Sequence, residues 1–177
     1  MAHVHWYSWH MKLERYRNDA IFSMFLFTGI RLSELLNLKK QHVYLDNNEI
    51  HIMAGKGDKD RVVPILPSLR QSLISYEEAR QRLAPPSLWY FPSVKSEKQL
   101  TTRNLHAIFR KISDKSGIKV TPHMLRHTFG RISVESNINM RVIQTVMGHS
   151  RMETTQIYTY VSSKASTEAM QNFDLQL

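Results

Sequence analysis

The sequence predicts an α+β fold, mainly α-helical with a small three-stranded antiparallel sheet. Two patterns predict it. Apolar residues recur at helical spacing over most of the chain, and between residues 43 and 65 the period shortens to two. At 177 residues with 42% hydrophobic and 22% charged side chains, the chain is long enough for one domain with its own core.

Taken in order, Asn18 and Asp19 are helix-start residues, followed at helical spacing by Ile21, Phe22, Phe25 and Leu26. Gly29 is a natural stop. A short helix resumes at Ser33 and offers Leu35, Leu36 and Leu38 to the core. Val43 and Leu45 alternate with polar residues, Asp46-Asn47-Asn48 reads as a turn, and Ile50 and Ile52 alternate again. Gly55-Lys56-Gly57-Asp58 reads as a second turn before Val62, Val63 and Ile65. Pro67 opens a helix with a stripe of Leu69, Leu73, Tyr76 and Leu83, a stripe best read as core, and Pro85-Pro86 breaks it. Residues 88–98 are irregular. Thr101 or Thr102 caps a helix carrying Leu105, Ile108, Phe109 and Ile112, which ends near Gly117. Thr121-Pro122 begins the next helix. Asn139 caps one with Val142, Ile143 and Val146, and residues 152–161 read as a last helix. No internal repeat or low-complexity segment interrupts this order.

Charge narrows the partners. Lys plus Arg number 24 against 15 Asp plus Glu, a net charge of +9, which favours a polyanion and most simply nucleic acid. The chain has no cysteine, so disulfides, thiolate zinc sites and cysteine nucleophiles are excluded. No apolar run approaches the roughly 18 residues of a membrane span. The first ten residues lack the basic start and apolar run of a signal peptide, so a cytoplasmic protein with no membrane partner is expected.

Five short boxes carry the chemistry: Thr28-Gly29-Ile30-Arg31-Leu32-Ser33-Glu34, Gly55-Lys56-Gly57, His123-Met-Leu-Arg126-His127, Met147-Gly148-His149 and Thr154-Thr155-Gln-Ile-Tyr158. A phosphodiester under in-line attack gathers negative charge on its non-bridging oxygens, and fixed donors stabilise it. Guanidinium suits this work, being planar, always charged and able to bond two oxygens at once. Arg31 and Arg126 are the candidates. His123, one helical turn before Arg126, shares its helix face, and His149 can add a donor after the next helix. Tyr158 can supply a nucleophile once its phenol, with a pKa of about 10, gives up its proton beside cations.

In these boxes the chain resembles the catalytic domain of the tyrosine recombinases, or phage-type integrases. The matched boxes run from Arg31 to Tyr158 and agree in residue type, order and spacing. The resemblance implies catalytic roles for Arg31, Lys56, His123, Arg126, His149 and Tyr158. Lys56 takes the place of the family's general acid on the turn between the second and third strands, with Lys59 as fallback. Glu34 matches a recurrent acidic position that orients donors. The implied activity is site-specific cleavage and rejoining of double-stranded DNA through a 3′-phosphotyrosine with a free 5′-hydroxyl. Two arginines do the charge work, so no cofactor, metal or ATP is required. Four protomers on paired sites, a monomer without DNA, and a C-terminal tail docking in trans are implied as well. Complete relatives carry a further N-terminal DNA-clamping domain, for which this chain has no room. The domain reading is an N-terminal extension or interdomain linker remnant at 1–16, the catalytic domain at 17–164 and the tail at 165–177.

Other readings are weighed against this one. His123 and His127 stand four apart like metal ligands, but the zinc-protease pattern needs Glu where Met124 stands. His127 reads as structural. Gly55-Lys56-Gly57 lacks the spacing of a nucleotide-binding loop. Tyr160, where relatives often have His, is the rival nucleophile. His3, His5 and His10 with Trp6, Tyr7 and Trp9 fit a packed remnant or a disordered end better than a metal or base-stacking site. The apolar tail, with Ala169, Met170, Phe173, Leu175 and Leu177, suits a docked segment. Alternative functions are a type IB topoisomerase-like relaxase using the same residues, a catalytically silent DNA-binding module, and a zinc hydrolase.

Overall fold

The computed structural model describes residues 2–53, 60–83, 86–94, 96 and 98–148, with only the backbone described at 2–10 and 83. Lys56, Lys59, His149, Tyr158, Tyr160 and the tail lie outside the described residues, as does the expected helix at 152–161.

Helix α1 (Ala2–Thr28) is longer than the sequence predicts. It passes through Asn18 and Asp19, so these are not its start. Leu13, Arg17, Ala20, Ile21, Met24 and Phe25 are buried along one face, a continuous stripe that reaches back beyond the expected cap. Asn and Asp cost well under about 1 kcal/mol in a helix interior, less than burying this stripe gains. The helix ends where Thr28 accepts a hydrogen bond from Ile30 N (3.1 Å) and Gly29 turns left-handed at φ 60°. Short helix α2 (Leu32–Leu36) follows, with Leu35 and Leu36 buried.

The sheet is three-stranded and antiparallel, as expected, and its order is β1 (Val43–Tyr44), β2 (Glu49–Ile52), β3 (Arg61–Pro64). Ile50 pairs with Val63 and Ile52 with Arg61, and all four side chains lie on the buried face. Val62 points outward. Pro64 sits on an edge strand, where a missing N–H does no harm.

Helices α3 (Pro67–Leu83), α4 (Thr102–Ser116), α5 (Pro122–Glu135) and α6 (Met140–Met147) complete the described fold. The N-caps of α4, α5 and α6 are those the sequence names. Thr101 accepts from Asn104 N (3.2 Å), Thr121 from Met124 N (3.2 Å) and Asn139 from Arg141 N (2.8 Å). Gly117 ends α4 at φ 70°. The core joins α1 to Leu69, Leu73 and Tyr76 of α3, to Leu105, Ile108 and Phe109 of α4, and to Ile50 and Val63 of the sheet. Leu69, Leu73 and Tyr76 are therefore core, as expected. Each such apolar side chain contributes roughly 1.5–3 kcal/mol.

Residues 86–94 form no helix or multi-residue strand, yet Tyr90 and Phe91 are fully buried. Two buried arginines hold the backbone there. Arg80 donates to the carbonyls of Ser87, Trp89 and Tyr90, and Arg17 donates to that of Pro92. Burial outweighs nearby charge at Arg17 and lowers its pKa from the usual value.

Candidate active site

Three of the six expected residues meet at one cleft. Arg31 enters at the N-terminal boundary of α2, and His123 and Arg126 project from the first turns of α5. All three line a cavity of about 450 Å³ whose wall also includes Phe25, Ile30 and His106. The local folding explains the meeting. Left-handed Gly29 reverses the chain at the end of α1 and carries Arg31 toward α5. A Cβ on Gly29 would lie 2.6 Å from the Phe129 ring, so only glycine permits this approach. On α5, Pro122 and the Thr121 cap start the helix immediately before His123.

Both guanidinium groups also reach the C-terminal end of α6. Arg31 donates to the Gly148 carbonyl, and Arg126 donates to those of Met147 (3.0 Å) and Gly29. Three chain segments far apart in sequence are thereby fixed around one cationic cleft. The N-terminal end of α5 adds the positive end of its dipole, which favours an anion. His127 is half-buried, its ring 5.0 Å from that of His123. Burial, with the charges of His123 and Arg126, lowers its pKa from 6.5, so it is neutral at pH 7. A neutral ring packed beside the cleft fits the structural role expected of His127.

Behind the cleft stands Glu34. It accepts from the Arg31 backbone N–H (2.8 Å) and from Arg31 Nη1 (3.1 Å), which fits the orienting role expected from sequence. Its other partner was not anticipated. Arg61 of β3 grips both carboxylate oxygens, Nη1 to Oε1 at 2.7 Å and Nη2 to Oε2 at 2.8 Å. The two side chains are only 5% and 8% exposed. Burial pushes the Glu34 carboxyl upward, but the Arg61 hydrogen bonds, the Arg31 N–H and the two cations outweigh it, leaving the pKa below 4.5. The clue to Arg61 lay in strand parity. Arg61, Val63 and Ile65 share one face at period two, so the arginine had to enter the core. His106 was missed because it lies on the rim, outside every recognisable box.

Comparison with known proteins accords with this geometry. A family model described as the phage integrase family matches residues 8–165. The chain is 38% identical over 160 residues to the tyrosine recombinase XerA of Thermococcus kodakarensis, covering 90% of this chain and 56% of that protein. It is 35% identical over 162 residues to the XerA of Pyrococcus furiosus, covering 92% and 56%. The chain thus spans little more than half the length of these relatives. Among solved structures, the crystal structure of XerA recombinase superimposes with a TM-score of 0.76 at 33% identity, covering 92% of this chain and 62% of that one. The XerH site-specific recombinase, in a post-cleavage complex with palindromic difH substrate, gives 0.73 at 26% identity, covering 96% and 51%.

Proposed function

The chain belongs to the phage integrase family, and from that premise we propose that it is the catalytic domain of a tyrosine-type site-specific recombinase acting on double-stranded DNA. The observation that carries the reading is the convergence of Arg31, His123 and Arg126 on one cleft. Arg31 is far in sequence from His123 and Arg126, and the fold brings all three to one opening.

In this reading the scissile phosphate occupies the cleft. Arg31 and Arg126 bind its non-bridging oxygens and are joined by His123 and His149 as charge builds. The Tyr158 phenol loses its proton and its oxygen attacks phosphorus. A bond from Tyr158 Oη to phosphorus forms and the bond to the 5′ oxygen breaks. Lys56 gives the departing oxygen its proton. The product is a 3′-phosphotyrosine and a 5′-hydroxyl. Attack by a 5′-hydroxyl from another strand reverses the step and rejoins the DNA without ATP. In this reading four protomers assemble on paired sites, with the tail at 165–177 docking on the neighbouring protomer.

The test is covalent trapping. Wild type and Tyr158→Phe are incubated with a randomised pool of nicked suicide duplexes, and denaturant-resistant adducts are resolved. An adduct from wild type and none from the variant is the expected result. An adduct that persists in Tyr158→Phe moves the nucleophile to Tyr160. No adduct from wild type overturns the recombinase reading in favour of a silent DNA-binding module. Exchange of strands between two labelled duplexes then separates recombination from relaxation alone.

A further inference from the structure

We propose that Arg61 is a positioning residue for this site, the strut through which β3 sets both the Glu34–Arg31 pair and the C-terminal end of α6. The inference rests on the recombinase reading above.

Arg61 makes three directed bonds from one planar group. Nη1 and Nη2 take the two oxygens of Glu34 at 2.7 and 2.8 Å, and Nε donates to the Val146 carbonyl at 2.7 Å. Each partner leads to the cleft. Glu34 holds both the backbone and the side chain of Arg31. Val146 lies in the last turn of α6, beside the Met147 and Gly148 carbonyls that receive Arg126 and Arg31. Gly148 is shaped to the same group: a Cβ there would stand 2.7 Å from Arg61 Nη1 and 2.8 Å from its Cζ. Arg61 is not among the residues that line the cleft, so it acts through others.

A brace for the fold alone would not need this geometry. Arg80 shows the contrast: it too is buried, but its carbonyl partners lie at residues 87–90 and lead to no part of the cleft. Lysine at position 61 would keep the charge but lose the fork, because one ammonium cannot hold two carboxylate oxygens and a carbonyl in fixed directions. A displacement of about 1 Å at a reacting group costs on the order of 10²-fold in rate.

The experiment compares wild type, Arg61→Lys and Arg80→Lys. Each is saturated with the adduct-forming duplex selected from the randomised pool, and the single-turnover rate of phosphotyrosine formation is measured per folded molecule. DNA affinity and thermal melting are measured in parallel. Arg61→Lys should slow the step on the order of 10²-fold while its affinity stays within about threefold of wild type. Arg80→Lys should melt lower yet cleave at the wild-type rate. An unchanged rate in Arg61→Lys, or an equal loss in Arg80→Lys, overturns the inference and leaves the recombinase reading intact. Absence of any Tyr158-dependent adduct from wild type overturns the recombinase reading and this inference with it. Should Arg61→Lys fail to fold, Glu34→Gln carries the comparison: a loss of about tenfold or more at unchanged affinity is expected, and an unchanged rate overturns the inference.

Discussion

Glu34 shows how one carboxylate can serve both fold and site. Burial pushes its carboxyl upward, but the hydrogen bonds and charges of Arg61 and Arg31 outweigh burial, so its folded pKa lies below the ordinary 4.5. A depressed carboxylate stabilises the fold fully above that ordinary value, and the contribution is lost as pH falls through the lower folded value. Denaturant unfolding measured across the acid range should therefore show stability falling below about pH 4.5, with a flatter profile for Glu34→Gln. At neutral pH the same variant should be roughly 3 kcal/mol less stable, because Arg61 would be left buried beside a neutral amide. Equal acid sensitivity in the two proteins would remove Glu34 from this role.

At the scale of elements, glycine placement separates what the turn demands from what the neighbours demand. Gly117 has φ 70° and open space around its would-be Cβ, whereas Gly148 has φ 69° and Arg61 at 2.7 Å. Gly117→Ala should cost about 1 kcal/mol from backbone strain alone. Gly148→Ala should cost at least about twice that, since the guanidinium must also shift, and denaturation midpoints will rank them. A Gly148→Ala as mild as Gly117→Ala would mean that Arg61 yields freely. The helix caps at Thr101, Thr121 and Asn139 and the three antiparallel strands were legible, because each is written within a few residues. The start of α1 was not, because local cap preference at Asn18 competes with a buried stripe visible only once its packing partners are known. In the site, Arg31, Glu34, His123 and Arg126 were legible from their boxes. Arg61 was not, for its role depends on a carboxylate 27 positions away.

For the whole molecule, the +9 net charge and the cationic cleft predict binding dominated by phosphate contacts. If the domain covers about six phosphates, its affinity for duplex DNA should fall roughly 10³-fold between about 50 and 200 mM salt. Fluorescence anisotropy over that range measures the slope, and a flat response would exclude an electrostatic footprint of this size. Among the described residues no helix is long and apolar enough to cross a membrane. The irregular stretch at 86–94 carries one more lesson. Its aromatic anchors, Tyr90 and Phe91, are local, but its backbone is directed by donors at positions 17 and 80. The instructions for that loop are therefore stored outside it. Transplanted alone into another protein it would bring its anchors and lose its path, whereas a foreign loop with two matching aromatics would inherit the path from its new host.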